Sequence, residues 1–233
     1  MPLTLPLLVG AAGTCEPIGL KDLAEAPPGS VVVLGVRNGA QPDLARAARA
    51  VEALERAGVE VTVALDAVTD DQQGVLDKWR GGQIAAGGLV EALAWPQRFG
   101  FPFAAYEPLF SDRSRPLIAA GVDLSYHPTA DEAVRVPSAR YEAIETGSAG
   151  AQVPAARQES LARAVVAQDQ RIAELALARW TGDGVLVLVV DRFRVQGGGA
   201  VPDALRAETT RTVFDALLSL GGARCDGDDR VWR

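Results

Sequence analysis

The sequence predicts a single α/β domain built on a mostly parallel β-sheet with helices on both faces. Two continuous runs of apolar, largely β-branched residues, Ser30–Val36 and Gly184–Val190, are typical of strands buried on both sides. Amphipathic helical patterns alternate with these strands, as expected for parallel crossover units. The 233 residues, 48% of them apolar, suffice for one large core. We therefore predict an N-terminal segment at 1–29, the domain at 30–222 and an acidic tail at 223–233.

The first half of the chain follows a strand–helix–strand pattern. After strand Ser30–Val36, a helix is predicted over Asp43–Ala57, because Pro42 precedes it and Gly58 stops it. A second strand is expected at Val59–Leu65. Further helices are expected at Asp71–Arg80 and Leu89–Leu93, and a short third strand at Leu117–Val122.

The second half opens with an irregular stretch rich in Pro, Gly and Ser over residues 123–154. The longest periodic helix is predicted over Gln158–Trp180, and the most apolar strand, Gly184–Val190, follows it. A last helix is expected around Glu208–Leu220.

Composition excludes several classes of partner. The net charge of −7 argues against a nucleic-acid-binding surface, which needs a basic face, and no apolar run reaches the roughly 20 residues that span a bilayer. The apolar segment Pro2–Ala12 is a poor signal peptide, because no Lys or Arg precedes it. We expect a cytoplasmic protein, with export or lipid anchoring left open. Cys15 and Cys225 neither require nor exclude a disulfide.

Charged and polar residues follow three predicted strands at their carboxyl ends. Ligands bind in the crevice beyond these ends in open parallel sheets. The residues are Arg37 and Asn38 after the first strand, Asp66 after the second, and Asp191, Arg192 and Arg194 after the last.

Several motifs match one known family along most of the chain. The segment Trp95–Phe110 (WPQRFGFPFAAYEPLF) is the most specific of them, and Asp66 to Gln73 and Asp169 with Ala173 add to it. Together with Gly35-Val36-Arg37-Asn38 and the Gly-Gly-Gly-Ala-Val-Pro stretch at 197–202, they resemble the ChaN-like, haem-binding-uptake (Tiki) superfamily.

The resemblance implies an altered site. Where the family has a glutamate and histidines, this chain has Val36, Asn38 and Arg194, none of which can replace the expected metal or proton chemistry. We therefore predict no metal site and no catalysis, but a small-molecule binding protein for a haem-like or anionic ligand.

Haem binding needs an axial ligand and cations for the propionates. The axial candidates are Tyr106, Tyr126 and His127, and the propionate candidates are Arg37, Arg98 and Arg194. Gln73, in the helix after the second strand, is a further ligand-binding candidate.

Three alternatives stay open at the level of sequence. Arg37, Arg192 and Arg194 could instead pair with Asp66 and Asp191 in a closed network. A divergent metal-dependent hydrolase would use acids such as Glu107, Asp112 or Glu142. A structural or interaction subunit, such as a homodimer formed through the aromatic segment, is the third.

Overall fold

The computed structural model describes residues 16–18, 23, 25–123, 136–138, 155–195, 200–218 and 230–232. Tyr126, His127, Glu142, both cysteines and the glycines at 197–199 lie outside these residues.

Seven parallel strands form one sheet, which confirms the predicted fold class. They are β1 (Glu16–Ile18), β2 (Val31–Val36), β3 (Val61–Thr69), β4 (Leu117–Gly121), β5 (Val185–Asp191), β6 (Val213–Leu218) and β7 (Arg230–Trp232). Their order across the sheet is β1-β7-β6-β2-β5-β3-β4, and every neighbouring pair is parallel. β1 and β7 extend the sheet beyond the predicted domain bounds of 30–222.

The helices cover the two faces of the sheet in two groups. They are α1 (Gln41–Arg56), α2 (Gln73–Arg80), α3 (Leu89–Ala92), α4 (Trp95–Arg98), α5 (Ala155–Arg179) and α6 (Val201–Glu208). The first four helices and the aromatic segment pack on one face, in a core with Val32, Leu34 and Val36. Helices α5 and α6 pack on the other face, against Val31 and Val33. Alternate residues of β2 thus belong to two separate cores, which explains its continuous apolar run.

The prediction of a last helix around Glu208–Leu220 is wrong. The chain is helical over Val201–Glu208, and Val213–Leu218 is the strand β6, paired in parallel with β2. Pro202 lies in the first turn, where a missing N–H costs nothing, so the helix begins earlier than predicted. The stretch that follows, Thr209 to Val213, has four β-branched residues out of five and favours an extended chain.

The other elements lie close to their predicted positions. β3 continues to Thr69 instead of ending at Leu65, so Asp66 lies within the strand rather than after it. A 3-10 turn at Asp70–Gln72 precedes α2. None of the helices in the described part of the chain is both long and apolar enough to cross a membrane.

Candidate functional site

The candidate site is the crevice at the carboxyl ends of β2, β5 and β3. β5 lies between the other two strands. The chain leaves β2 and β3 toward the face that carries α1 and α2, but leaves β5 through the 3-10 turn Arg192–Arg194 toward α6 on the opposite face. Connections that diverge from adjacent strands open a crevice, which is the usual ligand position in this architecture.

Arg194 lies buried at the centre of this crevice between two carboxylates. Its Nη1 donates to Asp169 Oδ1 at 2.5 Å, and its Nη2 donates to Gln168 Oε1 at 3.2 Å. Its Nε is 3.6 Å from Asp66 Oδ2. The side chains of Arg194 and Asp66 are each 8% exposed and that of Asp169 is 0% exposed. The guanidinium is therefore held mainly by α5, with Asp66 as a more distant ionic neighbour.

A second set of contacts joins Asp66 to the first strand end. The backbone N–H of Asp191 donates to Asp66 Oδ2 at 2.8 Å. The carboxylate of Asp191 in turn accepts the backbone N–H groups of Phe193 and Asn38. The Tyr106 hydroxyl donates to Asn38 Oδ1 at 2.7 Å. A continuous polar chain thus runs from Tyr106 on one face of the sheet to Asp169 on the other.

Burial is the largest cause of the pKa shifts of the acidic groups in this polar chain. It raises the pKa of Asp66 to about 7, although Arg194 and the Asp191 N–H both oppose the rise. Burial also raises the pKa of Asp191, against the hydrogen bonds from Phe193 and Asn38. Burial first, and then the charges of Asp66 and Asp191, raises the pKa of Tyr106 well above its usual value. Tyr106 is thus a neutral hydrogen-bond donor here.

The other predicted site residues are not brought into this cluster. Arg37, with a 42% exposed side chain, forms a two-pronged pair with the buried Asp43, whose Oδ2 also accepts the Arg37 backbone N–H. Arg98 pairs with Asp71 and Thr69. Arg192 is exposed beside Asp191. The hypothesis of a closed arginine network therefore holds for Arg194 and Asp66 only, and Arg37 belongs to a different pair.

Gln73 serves the edge of the sheet. Its Nε2 donates to the carbonyl of Leu117 at 3.0 Å, and its Oε1 accepts the N–H of Ala119 at 2.8 Å. Both positions lie on β4, the strand at the end of the described sheet order. Because these two hydrogen bonds hold the side-chain amide against the backbone of β4, Gln73 has a structural role.

Two residues of the cluster, Gln168 and Asp169, were not among the predicted site residues. Asp169 lies on the same stripe of α5 as the buried Ile172, Ala173 and Ala176. A carboxylate at helical spacing within an apolar stripe must have a buried partner. That mismatch is the sequence signal that would have identified it.

A separate open cleft of about 500 Å³ lies beside the crevice, at the carboxyl ends of β3 and β4. Thr69, Asp70, Asp71, Val122, Asp123, Arg171 and Leu175 line it. Asp70 pairs with Arg179 and Asp71 with Arg98, so mixed charges surround the opening.

The described residues offer little for binding a metal or haem iron. Within those ranges, no group of three or more His, Cys, Asp or Glu side chains is arranged to hold a metal ion. Tyr106 is 1% exposed and donates its proton to Asn38, so it does not fit the role of an axial phenolate. The hydrolase candidates Glu107 and Asp112 are exposed, and Asp112 bonds to Ser114.

Comparison with known proteins finds similarity to one family over part of the chain. Residues 22–133 match the family model described as "Haem-binding uptake, Tiki superfamily, ChaN". A solved structure titled "Cofacial heme binding to ChaN of Campylobacter jejuni" superposes with a TM-score of 0.70 at 16% identity, covering 91% of this chain and 89% of that one. No curated protein matches the sequence.

A more distant structural match is the C-terminal region of the Pasteurella multocida toxin, which is described as having a thiol-protease-like catalytic triad. Its TM-score is 0.54 at 11% identity, and the match covers 91% of this chain but 27% of the toxin chain. At these identities both structures establish the fold alone.

Proposed function

We propose that this chain is a non-catalytic binding protein of the ChaN-like, haem-binding-uptake Tiki type, with a haem-type ligand. The match of residues 22–133 to that family model and the shared fold with ChaN support the proposal. The observation that carries the proposal is the position of Arg194. Its guanidinium lies between Asp169 and Asp66 at the switch point of the sheet, where a metal-dependent enzyme would need open ligands.

The buried ion pair favours binding over hydrolysis. A catalytic metal requires carboxylates or imidazoles that converge on an ion with an open coordination position. Here Asp169 is already bonded to Arg194, and Asp66 accepts a backbone N–H. Metal-dependent hydrolysis would require displacement of a buried guanidinium, which is costly because its partners would lose their counter-charge.

Haem is the ligand class to test first, because the structurally similar Campylobacter protein is described as binding haem. Tyr106 does not fit as the axial ligand, so the proposal assigns it a structural role. Tyr126 and His127 remain the sequence-based axial candidates, and both lie outside the described residues.

Titration of the purified chain with haemin tests the proposal through the Soret band. We expect a saturable shift of the band in the wild-type protein. Tyr106→Phe should bind with the same spectrum, because that hydroxyl serves Asn38. The variants Tyr126→Phe and His127→Ala test which of these side chains is the axial ligand, because loss of that ligand changes the Soret band.

Tyr106→Phe serves as the matched control for Tyr126→Phe, since both remove one phenol oxygen. A free-haemin spectrum that persists at excess wild-type protein would refute haem binding. Loss of the shift in a folded Tyr106→Phe variant would show that the role given to Tyr106 is wrong.

A further inference from the structure

The charges in the crevice do not balance. Three carboxylates, those of Asp66, Asp169 and Asp191, lie close enough to influence one another, but the only buried guanidinium among them in the described part of the chain is that of Arg194. Arg192 is exposed at the rim. Buried carboxylates without a counter-charge are unstable as anions, so one of them is expected to take a proton instead.

The geometry identifies Asp66 as the carboxylate that Arg194 neutralises least, because the two groups are ionic neighbours without a hydrogen bond. Arg194 directs its two terminal nitrogens to α5, one to Asp169 and one to Gln168. Only its Nε faces Asp66, at 3.6 Å, which is too long for a hydrogen bond. Within the described part of the chain, the Asp66 carboxylate accepts its hydrogen bond from the backbone N–H of Asp191, at 2.8 Å.

Among the described residues, the other groups around Asp66 provide no further buried positive charge. On the β2 side, Asn38 is neutral and Arg37 is turned to Asp43. Tyr106, from the aromatic segment, is a neutral donor to Asn38. On the β5 side, Asp191 is a second carboxylate.

We propose that the crevice binds an anionic, carboxylate-bearing ligand together with one proton, and that Asp66 is the group that takes this proton. The inference rests on the proposed function for its ligand class, since haem carries two propionates. With Asp66 protonated, the charges of Asp169 and Arg194 cancel, and the exposed Arg192 offsets Asp191. With Asp66 ionised, the crevice has one more negative charge and repels an anion.

The consequence is that binding becomes tighter as the pH falls through neutrality. The pKa of Asp66, raised to about 7 by burial, places the change in the range where cells operate. Asp66→Asn removes the titration while keeping the shape of the side chain and an oxygen that can accept the Asp191 N–H. This variant should bind the ligand at every pH as the protonated wild-type protein does.

The protonation of Asp66 can be measured in the absence of any ligand. Carbon-13 NMR of labelled aspartate carboxyls, comparing the wild-type protein with Asp66→Asn, assigns the Asp66 signal and follows its titration. We expect a midpoint near neutrality. A midpoint in the ordinary acidic range, near 4, would overturn the inference even if haemin binds.

The coupling is measured by haemin titration of wild type, Asp66→Asn and the control Asp183→Asn. Asp183 is an exposed carboxylate at the opposite end of β5. Between about pH 6 and about pH 8.5, wild type and Asp183→Asn should lose about thirtyfold more affinity for haemin than Asp66→Asn does. The comparison with Asp66→Asn also corrects for the pH dependence of haemin itself.

The outcomes separate the two proposals. Equal loss of affinity in wild type and Asp66→Asn would overturn the coupling. Failure of haemin to bind to any of the three proteins would overturn the proposed function, and with it the ligand half of this inference, whereas the NMR midpoint would still decide the proton half.

Discussion

Individual arginines in this chain have distinct roles that their surroundings determine. Arg194 is buried and bonded to Asp169, whereas Arg37 is half-exposed and bonded to Asp43 at the start of α1. Both lie within three residues of a strand end, so their sequence positions look equivalent. The difference arises because the chain leaves β5 and β2 toward opposite faces of the sheet.

Replacement of Asp66 tests the energetic cost of its burial. Because the folded state raises the pKa of Asp66 to about 7, the folded protein binds the proton more tightly than the unfolded chain does. Its contribution to stability is therefore greatest at acidic pH, decreases as the pH rises from about 4 to about 7, and is constant above that range.

Chemical denaturation of wild type and Asp66→Asn at several pH values measures this cost. The wild-type free energy of unfolding, relative to that of the variant, should fall by roughly 4 kcal/mol across the window, at about 1.4 kcal/mol per pH unit. Taking the difference removes the contribution of other groups, such as Asp71, whose pKa is lowered mainly by the Thr69 hydroxyl. A difference in the free energy of unfolding that stays constant or rises with pH would contradict a pKa of Asp66 raised by burial.

The sequence predicted part of this cluster at the level of residues. Asp66, Asp191 and Arg194 follow from the rule that strand ends share one edge. That rule could not show that Arg37 turns away, because a short-range bond to Asp43 competes for it. Nor could it supply Asp169, whose place depends on how α5 packs against the sheet.

At the scale of elements, β4 shows how side chains protect an edge strand. The backbone groups of Leu117 and Ala119 that point away from β3 are bound by Gln73 and by Arg179, which donates to the Ala119 carbonyl at 2.7 Å. Unpaired edge groups are costly when buried and invite pairing with other chains. The edge of the sheet is thereby blocked without a further strand.

Gln73→Ala should weaken this edge. The variant loses both bonds to β4, and we expect a loss of about 1–3 kcal/mol in the free energy of unfolding, with increased aggregation. Urea denaturation and light scattering measure the two effects. Gln170→Ala, an exposed position on α5, is the matched control. If the two variants have the same stability, Gln73 does not support the edge.

The elements also show where pattern reasoning reaches its limit. β2 and β5 were predicted because a strand buried on both faces needs an unbroken apolar run. β6 was mistaken for a helix, because its short run Val213–Leu218 satisfies either period. Pairing with β2 makes this segment a strand. The two strands are far apart in the sequence, so a local pattern does not reveal their contact.

At the scale of the whole molecule, the strand order creates the crevice. The sequence predicted parallel strands but not their order, which depends on the return of β5 between β2 and β3. That return brings the two cores, one on each face, to a common boundary at Asp66 and Asp191. The polar chain from Tyr106 to Asp169 crosses the sheet at this boundary.

Hydrogen exchange with and without haemin tests whether the ligand binds at the carboxyl ends of the strands. The backbone at residues 37–38, 66–72 and 191–195 lies at the carboxyl edge, whereas residues 29–30 and 182–184 lie at the opposite edge of the same strands. Because local opening limits exchange, a ligand in the crevice should slow exchange at the first set and leave the second unchanged. Protection at the opposite edge alone would place the ligand outside the crevice, and the role given to Asp66 would then be wrong.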